Sequence, residues 1–214
     1  MIVIAIDGPA ASGKSSVSRR VAARLGFASV NSGLLYRAVT REVLRQGADT
    51  SSPESIAAVL ARAEIACGIG DGGEAFVRVN GDDAGAGLSD AQVNSHVSLV
   101  AAVPAVRELV SQLLRALARE RPLVMEGRDI GTEVFPDTPY KFYLDASPEI
   151  RQARRDAEGG ADRVAARDQL DSTRKTAPLR TAPDAHVVDT SHLTLDGVAG
   201  TIVEKLRTLG IIPK

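Results

Sequence analysis

The run Gly8-Pro9-Ala10-Ala11-Ser12-Gly13-Lys14-Ser15 constrains this chain more than any other stretch. It follows the apolar run Ile2-Val3-Ile4-Ala5-Ile6, which reads as a fully buried strand. It precedes Ser16 to Leu25, where Val17, Val21 and Leu25 recur at helical spacing. Strand, glycine-rich loop and helix in that order are the context that a G-x-x-x-x-G-K-[ST] match requires. Gly8 and Gly13 permit backbone angles that a side chain would forbid, so N–H groups of the loop turn toward one anion. The helix N-terminus adds unpaired N–H groups and partial positive charge. Lys14 reaches the outer phosphates, and the Ser15 hydroxyl suits Mg²⁺. Gly8 to Ser16 therefore reads as a nucleoside triphosphate site; the bland alternative is a glycine-rich turn that happens to spell the motif.

With 214 residues, the chain has room for one well-buried core and an insertion. Aromatic residues make up 3%, so aliphatic packing dominates. A formal net charge of −1 gives no bulk attraction to nucleic acid or to acidic membranes, so any anion must be held by local clusters. No run approaches the ~18 apolar residues of a membrane span. The chain enters its first strand without a charged leader, and Cys67 has no cysteine to pair with, so a cytoplasmic location is expected. His96, His186 and His192 are scattered without metal-ligand spacing and read as structural or surface residues.

The expected architecture is an α/β fold, a parallel sheet with helices on both faces. Phe27 to Val30 makes a second strand, Asn31-Ser32-Gly33 a turn, and Leu34 to about Gln46 a helix. Ser52-Pro53 starts another helix, with Ser as cap and Pro in the first turn. From Ala66 to Ser89 glycines thicken, and Asn80-Gly81 is a hairpin signal; this reads as a small, independently folded antiparallel insertion. Ser98 to Arg121 is a long helical pattern that Pro104 should restart or kink. Leu123-Val124-Met125, Tyr140 to Leu144 and Val187-Val188 supply three more strands. Residues 151–180 hold eight Arg or Lys against five Asp or Glu, a local excess of three positive charges. Several basic loops at the carboxyl ends of strands, facing a phosphate loop, point to a second phosphate-bearing substrate.

At this point the sequence resembles the bacterial cytidylate kinases, a family of P-loop nucleoside monophosphate kinases. The resemblance rests on Gly8 to Ser16, Ser32-Gly33 with Tyr36-Arg37-Ala38-Val39-Thr40, and Gly127-Arg128-Asp129-Ile130-Gly131-Thr132 with Val134-Phe135-Pro136-Asp137. Arg167-Asp168…Asp171…Arg174…Ala177-Pro178-Leu179 and Asp184-Ala185…Asp189-Thr190-Ser191 extend it to about Leu206. It implies a five-stranded parallel sheet of order 2-3-1-4-5, a core formed by 1–65, 98–150 and 175–214, a monophosphate-binding insertion at 66–97 and a short lid at 151–174. It further implies transfer of the ATP γ-phosphoryl group to CMP or dCMP, with Mg²⁺, in a monomer with no nucleic-acid or membrane partner.

The resemblance also implies roles for single residues. Ser98, Arg107 and Asp129 fall on cytosine-reading positions, where a carboxylate suits the exocyclic amine and a guanidinium or hydroxyl suits N3 and O2. Arg37 and Arg128 would grip the monophosphate through planar forks. Arg167, Asp171 and Arg174 fall on positions that touch sugar and phosphates; Ser32 and Tyr36 belong to the same acceptor site. Lys14, Arg128, Arg154, Arg155 and Arg167 would neutralise the transferring group. Taken alone, these residues have plainer readings: Arg154 and Arg155 as a solvated helix face, Arg107 as a helix-surface cation, Asp129 in an ion pair with Arg128, Ser98 as a helix cap, and Tyr36 as packing. Three departures from the family pattern stand out: Asn31 where the family usually has Asp, Leu88-Ser89 where it commonly has Ile-Arg, and a compact lid around Gly159-Gly160. A kinase for another monophosphate or a small metabolite, and a non-enzymatic ATP sensor, are the alternatives.

Overall fold

The structure, a computed structural model, describes residues 1–85, 87–157, 159, 163–174 and 176–211; Gly160 of the lid and Lys175 and 212–214 of the expected core lie outside them. The elements in chain order are β1 (Val3–Asp7), α1 (Lys14–Leu25), β2 (Ala28–Asn31), α2 (Ser32–Arg45), α3 (Pro53–Leu60), β3 (Ile65–Ile69), β4 (Ala75–Val79) and β5 (Asp82–Asp83). There follow α4 (Ala91–Val100), α5 (Pro104–Glu120), β6 (Leu123–Glu126), a π-helical turn Ile130–Val134, β7 (Lys141–Asp145), α6 (Pro148–Ala157), α7 (Val164–Thr173), β8 (His186–Asp189) and α8 (Leu195–Thr208).

Among the described residues, five strands form a parallel sheet in the order β2-β6-β1-β7-β8. Numbered among themselves along the chain, these five read 2-3-1-4-5, as expected; the labels differ because three further strands intervene. Alternation along β1 explains the two layers. Ile4 and Ile6 face α1 and α8, joining Val17, Val21, Leu25, Val198, Ile202 and Leu206. Val3 and Ala5 face the opposite layer, joining Val39 and Val43 of α2 and Val110 and Leu114 of α5. Each Val, Ile or Leu side chain among these, taken fully from water, contributes roughly 1.5–3 kcal/mol before entropy is charged against it. The chain leaves β1 toward β2 and β6 on one side and toward β7 and β8 on the other. That reversal leaves a crevice at the carboxyl ends of β1 and its neighbours.

Local signals explain most boundaries. Gly26 closes α1 at φ 68°, its N–H reaching the carbonyls of Ala22 and Ala23. Ser52 caps α3 through the N–H of Ser55. One reading needs correction, and the break expected at Pro104 is present. Asn31-Ser32-Gly33 is no separate turn: Asn31 Oδ1 accepts from Gly33 N at 2.9 Å as the cap of α2, and Ser32 and Gly33 already belong to the helix. The long pattern over Ser98–Arg121 divides into α4 and α5, which meet at 99°, with Pro104 in the first turn of α5. Ser98 therefore lies in the last turn of α4, away from any helix start.

The insertion is antiparallel, and Asn80 and Gly81 at φ 53° and 86° make the expected hairpin. It is not independently folded. Ile65, Val77, Ala84 and Leu88 lie in the same apolar cluster as Val30, Val39 and Leu114. Three short strands enclose too little apolar surface for a core of their own, so they borrow α2 and α5.

Candidate active site

The glycine turn leaves β1 and enters α1 without a spare residue. Gly8 has φ 150°, and a Cβ there would sit 2.1 Å from the Leu144 carbonyl oxygen, so no side chain fits. Gly13 has φ 88° immediately before Lys14, the first residue of α1. Ala11 also occupies left-handed backbone, at φ 57°, a strain of about 1 kcal/mol that its spelling did not announce. Lys14 is only 4% exposed, and its Nζ donates to Pro9 O at 2.5 Å and to Ser12 Oγ at 3.2 Å. Burial, and then the nearby Arg128 guanidinium, push the lysine pKa well below its ordinary value, against the pull of Glu126 and Asp7. Ser15 Oγ donates to Glu126 Oε1 at 2.5 Å, joining the first turn of α1 to the end of β6.

Beyond Glu126 the chain runs through Gly127-Arg128-Asp129 into the π-helical turn. Asp7, at the end of β1, receives Ile130 N at 2.9 Å and Gly131 N at 2.7 Å on its two carboxylate oxygens. A carboxylate at these leading N–H groups suits the positive end of the turn. Burial nevertheless pushes the Asp7 pKa up to about 7, with the two N–H bonds pulling the other way. The sign follows from linkage: the folded protein retains a proton that the unfolded chain releases above about pH 4. This group's contribution is therefore complete below that pH and is lost as pH rises toward 7. Asp7→Asn is expected to flatten that fall, so that the wild-type-minus-variant difference in unfolding free energy changes by on the order of 4 kcal/mol across the window. Urea titrations at pH 4, 5.5 and 7 check it.

The glycine turn, the carboxyl end of β6, α2, α4 and the α6–α7 pair enclose one cavity of about 220 Å³. Ala10, Ala11, Gly13, Lys14, Ser15 and Ser16 of the glycine turn and α1 form one wall. Ser32, Tyr36 and Arg37 of α2 and Ser98 of α4 line it as well, together with Arg128 and Asp129. Arg155, Arg167, Asp171 and Arg174 close it from α6 and α7 and the chain just after them. Five guanidiniums thus share one cavity with the glycine turn. Asp171 organises several of them: it receives Arg128 Nε at 3.0 Å and Ser98 Oγ at 3.3 Å, and Arg174 Nη1 lies 3.8 Å away. Burial alone would raise its pKa, but Arg128, Arg174 and Arg167 together hold it below the ordinary carboxylate value. Tyr36 Oη and Arg174 Nη2 are buried without a hydrogen-bond partner among the described residues, and both residues line the cavity. Unsatisfied buried groups are costly, so a ligand that satisfies them is favoured.

Some expected residues stand elsewhere. Gly8, Pro9 and Ser12 shape the turn from behind, outside the cavity wall. Arg107 is 5% exposed, its guanidinium paired with Asp129, donating to Ala101 O at 3.1 Å and lying 5.4 Å from the centroid of the Tyr36 ring. It backs Asp129 and Tyr36 and is not a helix-surface cation. The Asp129 partner is Arg107, and Arg128 turns to Asp171, so an Asp129–Arg128 pair is overturned. Burial pushes the Asp129 pKa up, opposed by Arg107 and Arg174. Arg154 lies outside the wall, its Nη1 and Nη2 donating to Thr190 Oγ1 at 3.0 Å and Thr190 O at 2.6 Å. On α6 the residue that reaches the cavity is Arg155. Asp7 and Glu126 were not among the expected site residues. The available signal was positional: each carboxylate ends a parallel strand and directly precedes a glycine of a motif.

With this geometry in hand, the comparisons with known proteins are specific. The family model described as cytidylate kinase matches residues 4–208. A cytidylate kinase of Streptomyces avermitilis is 46% identical, the match covering 96% of this chain and 94% of that protein. One of Rhodococcus opacus is 45% identical, over 94% of this chain and 93% of that one. Among solved structures, an uncharacterized protein from Eubacterium ventriosum matches with a TM-score of 0.51 at 13% identity, covering 97% of this chain and 99% of that one; this likeness concerns the fold alone. No single helix among the described residues is long and apolar enough to cross a membrane. A family match over nearly the whole length, and relatives at this identity, leave one assignment: the chain belongs to the cytidylate kinase family.

Proposed function

We propose that this protein transfers the γ-phosphoryl group of ATP to CMP and dCMP, giving ADP and the corresponding diphosphate. One observation carries the reading: a single cavity holds the glycine turn and Lys14 on one side, five arginines around it, and the buried Asp129 on the acceptor side. In this reading ATP lays its phosphates in the turn, while Arg37 and Arg128 hold the CMP phosphate in line with the γ-phosphorus. Lys14, Arg155 and Arg167 meet the charge that spreads over the transferring oxygens, so catalysis is mainly positioning and electrostatics. Asp129, braced by Arg107, accepts from the cytosine amine; uracil would turn a carbonyl oxygen toward the same carboxylate. Asp171 accepts from ribose hydroxyls. Residues 66–97 serve as the acceptor-binding insertion and 151–174 as the lid. Both nucleotides meet on one chain, so a monomer suffices.

The donor set fits Mg²⁺: Ser15 Oγ and Glu126 Oε1 are hard oxygen ligands 2.5 Å apart beside the turn. Two protein oxygens suit an ion whose remaining ligands are phosphate and water. When bound, Mg²⁺ neutralises charge on the β- and γ-phosphates.

ADP release measured with CMP, dCMP, UMP and AMP tests the proposal. CMP and dCMP should drive turnover, with UMP roughly 10²-fold poorer or worse in kcat/KM. If no monophosphate stimulates release the kinase reading fails, and if UMP equals CMP the cytosine assignment fails. Arg128→Ala should raise the CMP KM about 10–100-fold while leaving the ATP KM near wild type, because it removes a charged fork on the acceptor phosphate. An unchanged CMP KM would refute that role.

A further inference from the structure

The peptide of Ala10, in the glycine turn, is held from both of its ends by the lid helices. Its N–H donates to Asp168 Oδ1 at 2.9 Å, and its carbonyl accepts from Arg151 Nη1 at 3.2 Å. Arg151 Nη1 also pairs with the second Asp168 oxygen, closing a ring through α6, α7 and the turn. Arg151 Nε donates to Ala146 O at 3.0 Å, which ties the ring to the end of β7. Gln152 Oε1 of α6 accepts from Val164 N at 3.0 Å, so the start of α7 is fastened to α6 as well.

A carboxylate beside a triphosphate turn needs a reason, because its charge opposes the ligand. The Arg151 guanidinium cancels that charge, and neither residue lines the cavity. What remains is geometry. Arg167 and Asp171, both on the cavity wall, are one residue before and three after Asp168 on α7. Arg155 lies one helical turn beyond Arg151 on α6. The rotation and height of both helices against the turn are therefore set at Ala10.

Building on the kinase reading above, we propose that Arg151 and Asp168 are positioning residues: closed on the Ala10 peptide, they seat Arg155 and Arg167 at the transferring phosphoryl group and keep water from it. Asp168→Asn keeps the shape and one acceptor but turns an amide N–H₂ toward Arg151. Its kcat should fall about 10–100-fold, the scale of a displacement near 1 Å at reacting groups. The share of ATP whose γ-phosphoryl group passes to water instead of CMP should rise about tenfold, since an unseated lid admits water. Arg151→Gln should behave alike, and the double variant should fall no further than the poorer single one, because the pair works as one device. In the wild-type protein without nucleotide, the Ala10 amide should exchange slowly with D₂O.

Wild-type kcat and water share in Asp168→Asn, assayed well below its melting temperature, would overturn the proposal even if that temperature dropped, since the pair would then be only structural. Multiplying losses in the double variant would also overturn it. Should Asp168→Asn not fold, Arg151→Lys carries the same assays, and rapid Ala10 exchange in the wild type sinks the proposal without any variant. A wild-type enzyme that phosphorylates no monophosphate would count against the kinase reading instead, while the exchange measurement still judges the ring.

Discussion

Lys14→Met is expected to lower kcat by roughly 10³-fold or more while the protein melts at the wild-type temperature or above it. The two halves of this result have separate causes. The ammonium is nearly buried, with Pro9 O and Ser12 Oγ as its partners, and burial works against its charge. Linkage gives the sign: the unfolded chain binds a proton that the folded protein holds weakly, so this group costs stability at neutral pH and the cost fades as pH rises toward 10. Methionine keeps the aliphatic stem and removes that cost. Catalysis has no such substitute: in the proposed reaction the triphosphate charge is what the buried ammonium would meet. Steady-state kinetics and calorimetry on one preparation check both halves. A variant that unfolds, or one that turns over within tenfold of wild type, contradicts the argument.

Asp129→Asn should abolish the choice of base. Its amide N–H₂ would face the exocyclic amine of cytosine, donor against donor, but would donate to the carbonyl oxygen that uracil presents. The CMP-to-UMP ratio of kcat/KM should drop by roughly 10²-fold or more. Stability should suffer too: Arg107 would keep Ala101 O and the new amide oxygen as acceptors but lose its counter-charge, and removing one charge of a buried pair costs about 3–5 kcal/mol. Adding Arg107→Met should restore much of the stability without restoring CMP preference, since exchanging both members of a buried pair for apolar or neutral groups is far cheaper than breaking it. Thermal melts and two-substrate kinetics on the two variants separate these effects. Retained cytosine preference in Asp129→Asn would remove Asp129 from base recognition.

The fold was legible because its signals are local or periodic. The apolar run of β1, the Val17/Val21/Leu25 stripe and the caps at Gly26 and Ser52 each state their structure within a few residues. The failures came where distant parts decide. Whether β3–β5 owned a core depended on α2 and α5, which a linear reading cannot place beside them. Pro104 announced a break, but the pattern ran on through Ser98, so the end of α4 was lost in it. At the site, the residues with motif spelling fell around one cavity, while those acting across the sheet were missed. Asp7 reaches residues more than a hundred positions away, and Asp168 reaches back to Ala10. Which of Arg154 and Arg155 lines the cavity was beyond the sequence for a related reason. Adjacent arginines on a helix point about 100° apart, and only a structure decides which faces inward.

The apolar body shared by the insertion and the main sheet has a mechanical corollary. With Val77 and Leu88 seated against the same layer as Val30 and Leu114, the β3–β5 sheet has no seam along which to swing as a rigid flap. The elbow between α4 and α5 is seated in that layer too, since Val97, Val100, Ala101, Val103 and Val106 join it, so the 99° change of direction is braced by packing. A chain whose insertion and main sheet share one apolar body is expected to melt as one piece.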